Sequence, residues 1–143
     1  MKSDEILKAI EEDSVIDDSD LTMESLKIPR IHAKWQRILF EEIKALHGVE
    51  LAASEKKRER AEYYLGKAPT ETYVNEPLDL KILRSDLDLY LSSDKELASF
   101  EAKRQIQKQK IRMIEDFMKL LHNRNFMIKN AIDFQKFLVG VGS

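Results

Sequence analysis

The residues of this chain best suited to chemistry lie in one stretch, Ser54–Lys67, which reads SEKKRERAEYYLGK. It holds five basic residues and three glutamates in fourteen positions, with two adjacent tyrosines near its end. Lysine and arginine neutralise phosphates, and a nucleobase can stack on an aromatic ring. The stretch therefore favours binding of a single-stranded nucleic acid. It also fits a solvated helix end whose charges pair locally, and the residues alone leave both interpretations open.

Catalytic and metal-binding chemistry has little support in this sequence. The three histidines, His32, His47 and His122, lie far apart and lack the spacing of a metal site. The chain has no cysteine, which excludes disulfides, thiolate metal sites and cysteine nucleophiles, and it has no glycine-rich phosphate loop. We therefore predict a protein that is not an enzyme, with no catalytic residue, no metal and no cofactor.

Charge is distributed unevenly along the chain, although the formal net charge is only −2. Residues 1–25 carry two lysines against nine acidic residues, and residues 101–143 carry nine basic against four acidic residues. A partner meets the local field and not the sum of all charges. A near-neutral total is therefore compatible with an anionic partner. The acidic amino-terminal segment is either a docking surface for partner proteins or a solubilising region.

The composition predicts an all-α protein. Charged residues make up 35% of the chain, which has only four glycines and three prolines, and this mixture suits helices better than sheets. A chain of 143 residues buries one core, so one helical domain over 1–143 is expected. No apolar stretch approaches the roughly 20 residues of a membrane span, and the amino terminus lacks a secretory pattern. We expect a soluble intracellular protein without membrane association.

Two long helices are predicted from apolar residues that recur at helical spacing. The first covers residues 31–64, with a kink or a fresh start at Pro29. Gly66 is placed to end it, because glycine readily adopts the left-handed conformation of a helix stop. The second covers residues 95–122, and the polar run at 92–94 supplies its amino-terminal cap.

Shorter elements complete the predicted order of helices and loops. They are a helix at about 3–12, a cap at Ser19 or Asp20, a candidate bend at Gly48, a loop over 67–77 and a short helix over 78–90.

The segment after Asn125 is predicted to form a separate tail helix. Asparagine tolerates the left-handed conformation, so Asn125 is the expected stop of the second long helix. The tail is apolar almost all round and must be buried on most sides. Cover by another subunit is favoured over folding back onto the same chain, because large apolar patches rarely stay exposed. The predicted oligomerisation residues are Phe126, Ile128, Ile132, Phe134, Phe137 and Leu138.

Four features, in the same order and at the same spacing, resemble the UvsY-type recombination mediators of tailed phages. They are the acidic start ending SVIDD, the pair Lys34–Trp35, the run RERAEYYLG and the tail RNFMIKNAIDFQKFLVG. The resemblance covers nearly the whole chain at low identity. It implies a protein that binds single-stranded DNA and loads a RecA-like recombinase onto strands covered by the phage single-strand-binding protein. It also implies action in the cytoplasm of the infected bacterial host.

The same resemblance implies an assembly of subunits. UvsY-like proteins form rings or open barrels, here of about six or seven subunits, through the carboxy-terminal part, 93–143. The amino-terminal part, 1–92, would carry the DNA-binding helix end. Repetition of a weak site around an assembly supplies the attraction that the net charge lacks. The alternative is a helical scaffold or adaptor without affinity for nucleic acid.

The family's strand-binding element falls on Arg58 and Arg60. With the neighbouring cations of the stretch, the predicted DNA-binding residues are Lys57, Arg58, Arg60 and Lys67. Glu59 departs from the family, which has a small residue between the two basic positions. A carboxylate there should weaken the attraction of each subunit for phosphate.

Overall fold

Every regular element of the computed structural model is helical within residues 1–142, the part of the chain that the structure describes, with side chains described to residue 140. The elements are α1 (Ser3–Ser14), α2 (Leu21–Tyr64), α3 (Thr70–Asn75), a 3-10 turn (Arg84–Asp86), α4 (Leu87–Ser92) and α5 (Lys95–Gly142). The all-α prediction is confirmed. Within the same residues, no helix combines the length and the apolar character that crossing a membrane requires.

Helix α2 begins at Leu21 and passes through Pro29 and Gly48 without a break, so the predicted fresh start at Pro29 is wrong. The carboxylate of Asp20 accepts a hydrogen bond from the N–H of Met23 at 3.3 Å, which confirms Asp20 as a cap. A proline removes one backbone hydrogen bond. Ile28 is buried directly before it, and this packing holds the helix together across the missing bond.

Helix α5 continues through Asn125 to Gly142, so the predicted stop at Asn125 is wrong. No described residue other than glycine has a positive φ angle. Leu121, Arg124 and Ile128 are buried at spacings of three and four, on both sides of the asparagine. The buried stripe therefore runs on past the exposed Asn125, and the helix is uninterrupted there.

Gly66 ends α2 as predicted, with a φ angle of +76°. The N–H of Lys67 donates to the carbonyl oxygen of Glu62 at 2.8 Å, which completes the usual glycine-based helix stop. The predicted loop over 67–77 is wrong over α3. The helix predicted over 78–90 forms only in its second part, from Arg84 onward. Its first part contains leucines that stay exposed, so no burial stabilises a helix there.

The contacts of the chain cluster into two compact units. Unit 1 comprises residues 1–43 and the chain from Gln109 onward, and unit 2 comprises Lys44–Lys108. Both long helices contribute one part to each unit. The expectation of one domain, divided between residues 92 and 93, stays a prediction.

The core of unit 1 is built around Trp35, which is fully buried. Its ring meets Phe117 edge-on, with centroids 5.0 Å apart, and its Nε1 donates to Asp13 Oδ2 at 2.7 Å. Ile6, Ile114 and Leu121 complete this cluster. A second cluster joins Leu21 and Ile28 of α2 to Ile128 of α5.

Replacing Ile114, which is fully buried, with alanine is expected to lower the free energy of unfolding by roughly 2–5 kcal/mol, because it leaves a cavity in the core. The matched control is Ile106→Ala on the same helix, where the side chain is 56% exposed and the change should be within about 0.5 kcal/mol. Urea denaturation followed by circular dichroism measures both. Equal losses of stability in the two variants would contradict the assigned core.

Candidate nucleic-acid interface

Three of the four predicted DNA-binding residues are exposed at the carboxy-terminal end of α2, within unit 2. They are Lys57, Arg58 and Lys67. In the described part of the chain, none of these side chains forms an ion pair or a hydrogen bond. Their charges are therefore not compensated by a bonded carboxylate. Surface cations of this kind are suited to phosphate contacts, whose release of counterions drives binding to nucleic acid.

Arg60 has a different environment, since it is only 7% exposed. Its Nη1 and Nη2 donate to the two carboxylate oxygens of Glu76 at 2.9 and 3.0 Å. Its Nε donates to Asp94 Oδ2 at 2.7 Å. The bidentate salt bridge between Arg60 and Glu76 is strong and fixes the orientation of both groups. The structure thus gives Arg60 an internal ion network, and its contact with DNA stays a prediction.

The tyrosines of the stretch pack around the same guanidinium. Its carbon Cζ lies 4.3 Å from the ring centroid of Tyr63 and 5.2 Å from that of Tyr64. Tyr63 is 3% exposed and stacks on Tyr73, with centroids 5.4 Å apart and ring planes 18° apart. The faces of these rings are occupied by protein groups. The tyrosines therefore pack the end of α2.

Asp94 connects the network to the start of α5. Its Oδ1 accepts the N–H of Leu97 at 3.0 Å as a helix cap, while its Oδ2 accepts both Arg60 and the hydroxyl of Tyr64, the latter at 2.6 Å. The predicted cap at 92–94 is therefore confirmed. Burial alone would raise the pKa of Asp94, but the hydrogen bonds from Tyr64, Leu97 and Arg60 outweigh it and hold the pKa below its ordinary value.

The pKa of Arg60 is raised, first by its hydrogen bonds to Glu76 and then by Asp94 and Tyr64, while burial works against them. The pKa of Tyr64 is raised chiefly by burial and by its hydrogen bond to Asp94. The network therefore favours the charged forms of Arg60 and Asp94.

A cavity of about 570 Å³ lies beside Arg60, and its lining contains five glutamates against two cations, Lys56 and Arg60. Like charges facing each other across an interface cost several kcal/mol, so the phosphates of a nucleic acid are disfavoured here. The exposed cations, and not this cavity, form the candidate interface. The acidic lining residues are Glu59, Glu62, Glu71, Glu76 and Glu96.

Sequence reasoning missed two members of the network. Glu76 lies sixteen residues from Arg60, and no local spacing signals the pair. Tyr73 donates its hydroxyl to the carbonyl oxygen of Tyr63 at 2.9 Å, again across a loop. Asp94 was recognisable only as a helix cap. In the described residues, no group of three or more His, Asp or Glu side chains is arranged to hold a metal.

The predicted oligomerisation residues divide into two sets. Ile128 is 3% exposed and packs on Leu21 and Ile28 of the same chain, and Ile132 packs against this cluster. The other four are exposed by 54–65% of their surface: Phe126, Phe134, Phe137 and Leu138. Only the second set is available to another subunit, and that role stays a prediction.

Comparison with known proteins gives one family. The family described as "Recombination, repair and ssDNA binding protein UvsY" matches residues 9–141. Crystal structures of the bacteriophage T4 recombination mediator protein UvsY are similar in fold. Lattice type I has a TM-score of 0.80 at 20% identity, covering 93% of this chain and 98% of that one. For lattice type IV the values are 0.83 and 19%, covering 96% and 99%. No curated protein sequence matches significantly.

Replacing Arg60 with alanine is expected to lower the free energy of unfolding by roughly 3–5 kcal/mol, because it leaves the buried carboxylate of Asp94 without its cation. Arg58→Ala removes the same side chain from an exposed position two residues away and should change stability by no more than about 0.5 kcal/mol. Thermal and urea denaturation compare the two. An Arg60 variant as stable as the Arg58 variant would contradict a structural role for the network.

Proposed function

The chain belongs to the UvsY family of recombination, repair and single-stranded-DNA-binding proteins, and we propose that it acts as a recombination mediator. It binds single-stranded DNA and promotes the loading of a RecA-like recombinase onto strands covered by a single-strand-binding protein. The observation that carries the proposal is the set of exposed cations at the end of α2, which have no ion-pair partner among the described residues. The family is described by its binding to single-stranded DNA, which such cations suit.

In this proposal Lys57, Arg58 and Lys67 contact phosphates, while Arg60 holds the end of α2 in place. The exposure of the first three, and the absence of bonded carboxylates beside them in the described chain, support their role. Glu59, the carboxylate next to Arg58, pairs with Lys56 at 2.9 Å. Lys56 is half-buried and Glu59 is exposed, so the pair contributes little to stability, but it offsets a negative charge that would otherwise repel the strand.

We also propose that the chain forms a homo-oligomer through the exposed apolar part of α5. The four exposed side chains Phe126, Phe134, Phe137 and Leu138 lie within thirteen residues, and apolar surface of this density rarely stays uncovered. By resemblance to its family, the assembly is a ring or open barrel of about six or seven subunits. Sites linked in this way gain roughly 10²–10⁴ in avidity when several engage one strand.

The proposed partners follow from family membership and from charge. They are single-stranded DNA, a RecA-like phage recombinase and the phage single-strand-binding protein, met in the cytoplasm of the infected bacterial host. The acidic segment over residues 1–25 is the proposed docking surface for one of the two proteins. Weak individual phosphate contacts suit this task, because a mediator must hold a strand and then release it to the recombinase.

Arg58→Gln should weaken binding of a fluorescent oligo-dT and flatten the dependence of log K on log salt, by about 0.7 for each phosphate that the protein no longer neutralises. Fluorescence anisotropy at several salt concentrations measures both quantities. The matched control is Arg84→Gln, which removes the same charge from another exposed position of unit 2. Equal slopes in the two variants would remove Arg58 from the interface. A wild-type chain that does not bind the strand would favour the scaffold alternative.

The double change Phe134→Glu and Phe137→Glu should shift the chain to smaller species in sedimentation velocity, because charges at a subunit contact must be desolvated. Phe40→Glu is the control, since Phe40 is 66% exposed on α2 and lies outside the proposed contact. Circular dichroism checks that each variant is folded. An unchanged sedimentation profile of the double variant would exclude this part of α5 as the interface.

A further inference from the structure

A groove of about 430 Å³ lies in unit 2, apart from the acidic cavity beside Arg60. It is open to solvent and has a volume within the range of roughly 300–1,000 Å³ in which proteins bind small organic groups. Helices α2, α4 and α5 contribute its walls. The side chains that matter are Ala53 and Lys57 of α2, Leu91 of α4, and Leu97, Phe100 and Glu101 of α5.

The floor of the groove is apolar and contains an aromatic ring. Leu91 is 8% exposed, and Leu97 and Phe100 are half-buried. Lys103 lies one helical turn beyond, and its Nζ is 5.2 Å from the ring centroid of Phe100. Lys103 is exposed and forms no ion pair among the described residues, so its flexible side chain can move from the ring to an incoming anion. An aromatic ring beside mobile cations is the arrangement that binds bases of single strands.

The charges around the groove leave a positive surplus. The carboxylate of Glu101 accepts Arg104 Nη1 at 2.9 Å and Gln105 Nε2 at 2.8 Å. The same Arg104 lies 3.7 Å from a carboxylate oxygen of Glu50. Arg104 therefore offsets the acidic groups near the groove. Within the described chain, Lys57 and Lys103 remain as cations without a bonded carboxylate, in contrast to the glutamate-lined cavity beside Arg60.

The groove adjoins the phosphate contacts proposed above. Lys57 lines the groove and directly precedes Arg58 in α2. A strand held by these two cations would bring one of its bases to the apolar floor. The groove offers that base an aromatic partner, which the buried Tyr63 does not.

We propose that this groove is a nucleobase-binding subsite, in which a base of single-stranded DNA stacks on Phe100 while Lys57 and Lys103 contact the flanking phosphates. The inference rests on the proposed function and specifies which part of the strand the groove recognises, namely the base. Because stacking needs only the π-face of a base, the subsite accepts bases without regard to sequence.

The test compares Phe100→Ala with Phe100→Tyr, which keeps the ring. Anisotropy is measured with a labelled oligo-dT and with an abasic strand of the same length, which keeps the phosphates. We expect Phe100→Ala to weaken oligo-dT binding by roughly 5- to 150-fold, leave the abasic strand unchanged and preserve the salt slope. Phe100→Tyr should bind as the wild type does. Equal effects on both strands, or no effect on either, would overturn the subsite.

A second variant keeps the proposal testable if Phe100→Ala does not fold. Lys103→Gln should flatten the salt slope by about 0.7, and the control Lys81→Gln, at another exposed lysine of unit 2, should not. A Lys103 variant that behaves like its control would overturn the subsite. Failure of the wild-type chain to bind either strand would overturn the proposed function itself. If the wild-type chain binds the strand but the Phe100 and Lys103 variants show none of the expected changes, the subsite is overturned and the proposed function stands.

Discussion

The ion network of Arg60 is the interaction on which the binding surface depends. One guanidinium joins the end of α2 to Glu76 beyond α3 and to Asp94 at the start of α5. An arginine suits this place because its planar group forms several bonds in fixed directions, which a lysine could not reproduce. A buried charge with its partners removed is costly, so the network either forms completely or destabilises unit 2.

This network divides the cations of one short stretch into two kinds. Arg60 and the tyrosines are used within the chain, whereas Lys57, Arg58 and Lys67 stay exposed. The buried Arg60 holds the helix end that carries the exposed cations, so the proposed DNA-binding surface would need little reorganisation on meeting a strand. The acidic cavity on one side and the groove of Phe100 on another then restrict where a polyanion can lie.

Local patterns in the sequence predicted most of the fold, because helical spacing, the Gly66 stop and the Asp94 cap are local properties. Wrong predictions arose where packing outweighed a local preference, as with the fresh start expected at Pro29 and the stop expected at Asn125, each of which lies inside a helix with buried neighbours. The candidate site was predicted only in part. The pairing of Arg60 with Glu76 depends on how the loop folds back, and no spacing rule reports it.

Lysine acetylation read by mass spectrometry, with and without oligo-dT, tests most directly whether the exposed cations meet the strand. Lys57 and Lys67 are exposed at the proposed interface, and Lys81 is exposed elsewhere in unit 2. We expect oligo-dT to protect Lys57 and Lys67 and to leave Lys81 as reactive as before. Equal protection of all three lysines, or none at Lys57 and Lys67, would contradict a binding surface at the end of α2.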